Sequence, residues 1–133
     1  MRESALQAAV AQYLAVALPQ DAFSVHVPNE GRRGWQAQRE FKRSGAKTGF
    51  PDLLIIWRGA AHLIELKAQK KYPSPEQRAV HALLNAAGAT VHVCRSVAEV
   101  EMVLNVLGIP LHATCFPDDA PPRRIPIKNA RAA

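Results

Sequence analysis

Two short apolar runs, Leu53-Leu54-Ile55-Ile56-Trp57 and His62-Leu63-Ile64-Glu65-Leu66, are separated only by Arg58–Ala61 and leave this chain few options. Runs rich in Ile and Leu with a Gly-bearing break between them specify a β-hairpin. Its charges fall at one end: Asp52 opens the first strand, and Glu65 and Lys67 close the second. With Gly59–Ala60 at the turn, Arg58 would face Ala61, Asp52 would face Lys67 and Leu54 would face Glu65. Facing residues share one side of a sheet, and diagonal neighbours lie within about 8 Å. Asp52, Glu65 and Lys67 would therefore crowd the open end of the hairpin, unless a one-residue slip moved Asp52 to the other side.

Two carboxylates and an ammonium at the ends of apolar strands are costly unless partnered. An ion pair between Lys67 and one acid is the simpler partner. A divalent cation is the other, since Mg²⁺ takes oxygen ligands and often one or two carboxylates plus substrate phosphate. The second acid, and the Gly49-Phe50-Pro51 lead-in that restricts the backbone before Asp52, favour the cation. No His or Cys cluster argues for zinc.

Gly49-Phe50-Pro51-Asp52 followed by Glu65-Leu66-Lys67 resembles the PD-(D/E)xK nuclease core. With Ser74-Pro75-Glu76-Gln77 after it, the chain resembles the VRR-NUC family of that superfamily, from about Glu3 to Leu107. The resemblance implies a restriction-endonuclease-like α/β core and a Mg²⁺- or Mn²⁺-dependent endodeoxyribonuclease. It implies Asp52 and Glu65 as metal ligands helped by the Leu66 carbonyl, with Glu3 as a direct or water-mediated partner. Lys67 would orient the attacking water and offset phosphate charge, and Gln77 would stand beside the metal. Small stand-alone members of the family imply a homodimer acting on branched DNA, including four-way junctions, with no organic cofactor.

The rest of the chain supplies the setting. Leu6, Val10, Tyr13, Leu14 and Ala17 recur at three- and four-residue spacing and predict a helix over 2–18, ended by Pro19. Glu3 projects onto the middle of that stripe, although an acid in a first turn is also what the helix dipole favours, and Ser4 as N-cap would leave it outside the helix. Ala22–Val27 alternates Phe23, Val25 and Val27 with Ser24 and His26, predicting a strand with one solvated face on which His26 points outward.

Arg32, Arg33, Arg39, Lys42, Arg43 and Lys47 are opposed only by Glu40 in the segment that leads into the hairpin, with a short helix expected near Trp35–Arg43. A phosphate backbone would lie against these six cations.

Ser74 at an N-cap, Pro75 at N1 and Gln77 at N3 form a capping box, which accounts for Gln77 without any catalysis. That helix runs to Gly88, a strand covers Thr90–Cys94, and a second capping box at Ser96–Glu99 starts a helix that ends at Gly108. The order α-β-β-β-α-β-α gives a mixed sheet of about four strands flanked by helices, the last strand added parallel to the Glu65 strand. Residues 1–108 form the expected nuclease domain. Residues 109–133 hold five of the ten prolines and read as a basic, flexible or extended arm.

A chain of 133 residues is one domain, large enough to fold without a disulfide or structural metal. Two cysteines in unlike settings suit a reducing cytoplasm, and no apolar run is long enough for a membrane span. A net charge of +6 fits a polyanionic partner or plain solubility. A non-catalytic nucleic-acid-binding module of the same fold, or a scaffold built through the Pro-rich arm, are the alternatives to an enzyme.

Overall fold

The computed structural model describes residues 1–28, 39, 43, 48–117 and 119–127. Helix α1 spans Glu3–Ala17 and buries Leu6, Val10, Tyr13, Leu14 and Ala17, the stripe its spacing predicts. Leu18, the residue before Pro19, is already extended, as the proline ring requires of its predecessor.

Strands β1 (Ala22–His26), β2 (Leu53–Trp57), β3 (Ala60–Leu66) and β4 (Thr90–Cys94) form one sheet in the order β1-β2-β3-β4. The first two pairings are antiparallel and β3 pairs with β4 in parallel. Helix α2 (Pro75–Ala86) provides the crossover that a parallel pair needs, and α3 (Val97–Val106) follows β4. The expected α-β-β-β-α-β-α order is therefore present.

Alternation assigns the two sides of the sheet. Leu53, Ile55, Ile64, Leu66 and Cys94 join α1 and α3 residues in the core. Glu65, out of phase with Ile64 and Leu66, meets α2 instead, where His81 is the one buried side chain of that helix.

The hairpin register differs from the expected one. Trp57 faces Ala60 and Leu53 faces Ile64, so the turn is Arg58–Gly59 rather than Gly59–Ala60. Both turn residues have positive φ, 51° and 79°, the type I′ geometry whose twist matches the flanking strands. Extending this register sets Asp52 opposite Glu65 instead of Lys67. Each partner moves by two residues, so all three charges keep their side of the sheet.

Strand β1 also departs from expectation. Phe23 is 62% exposed and Val25 40%, so its apolar residues are not a core face, although His26 is exposed as expected. Residues 109–115 are packed rather than free: Ile109, Leu111, Ala113 and Cys115 are buried in the main core. His112 N–H donates to Ala17 O at 2.8 Å, and β5 (Ala113–Thr114) pairs with β6 (Arg123–Arg124). Buried Glu101 of α3 holds this segment, accepting from Thr114 Oγ1 and from Cys115 N–H at 2.8 Å. The second capping box is half formed. Ser96 Oγ accepts from Glu99 N–H at 3.0 Å, but the Glu99 carboxylate accepts from Arg95 N–H, one residue too early. Among the described residues no helix is long and apolar enough to cross a membrane.

Candidate active site

The segment Gly49-Phe50-Pro51 is set by contact with the start of α2. Gly49 has φ +90°, and a Cβ there would stand 2.9 Å from Glu76 O, so only glycine fits. Pro51 is buried, and the Asp52 carbonyl accepts from Val27 N–H at 2.7 Å. The Asp52 carboxylate accepts from Leu66 N–H through Oδ2 at 2.7 Å, and Gln7 Nε2 of α1 reaches Oδ1 at 3.5 Å. Asp52 thus spans the open end of the hairpin and is anchored to the residue after Glu65.

Glu65 is only 2% exposed. Its Oε2 accepts from Gln77 Nε2 and its Oε1 meets His81 Nε2, both at 3.2 Å. Gln77 does two things at once. Its Oε1 accepts from Ser74 N–H at 2.8 Å while Ser74 Oγ accepts from Gln77 N–H at 3.1 Å, completing the expected capping box. Because the cap takes the amide oxygen, the NH₂ end must face Glu65. Helix capping and carboxylate orientation are therefore one arrangement.

Lys67 continues the β4 pairing, its N–H donating to Cys94 O at 3.0 Å. Its ammonium lies 3.8 Å from Glu3 Oε1, with the Lys67 side chain 13% exposed and that of Glu3 45%. Arg2 is the N-cap of α1, so Glu3 sits in the first turn and not outside the helix. The expected acids and lysine are brought together, with Glu3 touching Lys67. Of the expected basic residues, Arg39 and Arg43 are helical and exposed, and Arg32, Arg33, Lys42 and Lys47 lie outside the described residues.

Burial, then a hydrogen bond and charge from Asp52, pushes the Glu65 carboxyl up to about 9, against a smaller opposing pull from Lys67. Burial and the Lys67 charge lower His81, which is therefore neutral near pH 7. Two adjoining carboxylates disfavour each other's charged form, and a shared proton or a bound cation would relieve this. Their oxygen-only character suits a hard divalent ion. Among the described residues no three His, Cys, Asp or Glu side chains form a ready-made metal cage. Asp52, Glu65 and the Leu66 carbonyl would leave the remaining positions to water or phosphate, as Mg²⁺ commonly does.

His81 and Gln7 are contacts that sequence reasoning missed. Their signal was helical spacing: His81 stands four residues after Gln77, and Gln7 four after Glu3, so each shares a helix side with an expected site residue.

A family model described as the VRR-NUC domain matches residues 2–98. The chain belongs to the VRR-NUC family. Similarity to solved structures agrees with this. One described as a VRR_NUC domain protein is 27% identical, with a TM-score of 0.66, over 80% of this chain and 87% of that one. Another, described as a VRR_NUC domain, shares the fold at 24% identity and a TM-score of 0.53, over 79% of this chain and 96% of that one. No curated relative matches the chain. VRR-NUC is a nuclease-type domain, and the convergent Asp52, Glu65 and Lys67 lie inside the matched span.

Proposed function

We propose that this VRR-NUC protein is a Mg²⁺- or Mn²⁺-dependent endonuclease that hydrolyses DNA phosphodiester bonds, acting as a homodimer on branched DNA such as four-way junctions. The observation that carries the reading is the pairing of Asp52 with buried Glu65 beside Lys67. Family membership supports the nuclease class, and resemblance to small stand-alone members supports the branched substrate and the dimer.

In this reading Asp52, Glu65 and the Leu66 carbonyl hold the cation. When bound, Mg²⁺ or Mn²⁺ supplies Lewis-acid activation of water and charge relief at the phosphate. The chain's own residues do the positioning. Leu66 N–H fixes one Asp52 oxygen, and Gln77 and His81 fix the two oxygens of Glu65. Lys67, steadied by Glu3, orients the attacking water and offsets charge on the scissile phosphate. Arg39 and Arg43, with the other cations leading into the hairpin, bear on the DNA backbone.

The test is a panel of duplex, single-stranded, flap and four-way DNA, each with Mg²⁺, Mn²⁺ or EDTA. Wild type should cut with metal and not with EDTA. Asp52→Asn, Glu65→Gln and Lys67→Ala should each lose cleavage while keeping most DNA binding. Cleavage surviving in all three variants would refute the assignment.

A further inference from the structure

The loop from Ala68 to Pro73 joins the end of β3, immediately after Lys67, to the capping box of α2. It is held from two elements. Arg95, which follows β4, donates through Nη2 to Lys71 O at 2.7 Å, and Arg78 of α2 donates through Nη1 to Pro73 O at 2.8 Å. Lys71 N–H closes a turn onto Ala68 O at 3.1 Å, with Lys70 in the left-handed region at φ 64°.

What the loop presents is an aromatic ring. Tyr72 is 74% exposed, and the Arg95 guanidinium carbon lies over it, 5.1 Å from the centroid. One side of the ring is backed by a cation while most of its surface stays open to solvent. Lys70, Lys71 and Arg78 are exposed around it. Of the neighbouring acids, Glu99 is taken up by Arg95 N–H and Glu76 is exposed. The rim is therefore basic as well as aromatic, which suits a nucleic acid better than an apolar peptide.

Its position fits the site. The Lys67 N–H to Cys94 O bond puts Arg95 beside Lys67, past the carboxyl ends of the parallel strands, where open α/β sheets bind ligands. Tyr72 is five residues beyond Lys67, a reach of at most about 17 Å, or about five base steps along one strand.

We propose that this loop is a second DNA contact, in which Tyr72, backed by Arg95, stacks on an unpaired nucleobase within a few nucleotides of the phosphate at Asp52, Glu65 and Lys67. The proposal rests on the nuclease reading and narrows its substrate to DNA carrying an unpaired base near the cut. A base inside a duplex has both π-faces covered by its neighbours. An unpaired base in a gap, a bulge or a single-stranded arm of a branch offers one without the unstacking cost. Holding the ring rigid before binding removes ordering entropy that a free loop would lose.

The experiment uses the full chain in EDTA, where cleavage is off. DNA carries a single 2-aminopurine at successive positions near a branch or gap, with a fully paired duplex as control. Wild type should quench the unpaired 2-aminopurine at one or two positions. Tyr72→Ala should lose the quench and bind branched DNA about tenfold more weakly, within the range for loss of one stacked base. Binding to paired duplex should change less than twofold. Tyr72→Phe should behave as wild type, and Tyr72→Leu should lose the quench. Unchanged quench and affinity in Tyr72→Ala overturn the stacking role, while Mg²⁺-dependent cleavage by the same protein, assayed in parallel without EDTA, leaves the nuclease reading standing. Wild type that neither binds nor cuts any DNA in the panel overturns both.

Discussion

Replacing Glu65 by Gln keeps its shape and removes its ability to ionise, which isolates the strain between it and Asp52. In the unfolded chain this carboxyl titrates near 4.5; in the folded chain burial and Asp52 push it up to about 9. Between those values the folded state holds one proton more than the unfolded state. Its contribution to stability is complete below the unfolded value and is lost as pH rises through the folded one. The proton belongs to the Asp52–Glu65 pair as a unit. The slope is then at most about 1.4 kcal/mol per pH unit. Burial lowers His62, His81 and His92, so these three imidazoles are chiefly uncharged from pH 7 to 8.5, and groups that titrate alike in both proteins cancel in the comparison. Across that range metal-free wild type should lose up to about 2 kcal/mol relative to Glu65→Gln. The assay is urea unfolding in EDTA at pH 7, 7.75 and 8.5, comparing midpoints at constant slope. Parallel pH profiles for the two proteins would refute the reasoning, since both acids would then be ionised side by side without penalty and the need for a cation would lapse.

Three other outcomes are expected. Mn²⁺ at about a hundred times its dissociation constant should stabilise wild type by about 2.7 kcal/mol in the same unfolding assay, and Asp52→Asn should show little of this. Gln77→Glu keeps a side chain that can complete the capping box but sets a carboxylate against Glu65; circular dichroism should show intact helix while metal affinity or cleavage falls roughly 10- to 100-fold. Glu101→Ala leaves the Thr114 hydroxyl and Cys115 N–H without their acceptor, so stability should fall by about 2–4 kcal/mol, with faster proteolysis after residue 108.

Local patterns were informative wherever one element decided the outcome. The α1 stripe, the Ser74 capping box and the gathering of Asp52, Glu65 and Lys67 all follow from spacing within a helix or across one hairpin. The register itself was off, because Arg58–Gly59 and Gly59–Ala60 are both acceptable turns by composition. Strand twist favours the type I′ form, and composition does not report twist. Even so, the shift preserved which side each charge occupies, so the site survived it. Phe23 and Val25 were misplaced for a different reason. Alternation distinguishes two sides of a strand but not which side a helix will cover.

The sequence by itself determined the element order, the hairpin, and the nearness of two acids and a lysine, since periods of 2 and 3.6 residues and turn chemistry act over short stretches. Only the tertiary structure decided that α2 would lay Gln77 and His81 on Glu65, that Glu3 would meet Lys67, and that Glu101 would clasp residues 114–115. Each of these contacts joins residues brought together by packing. A buried carboxylate looks the same in sequence as an exposed one until the elements around it remove the water and supply the hydrogen bonds in its place.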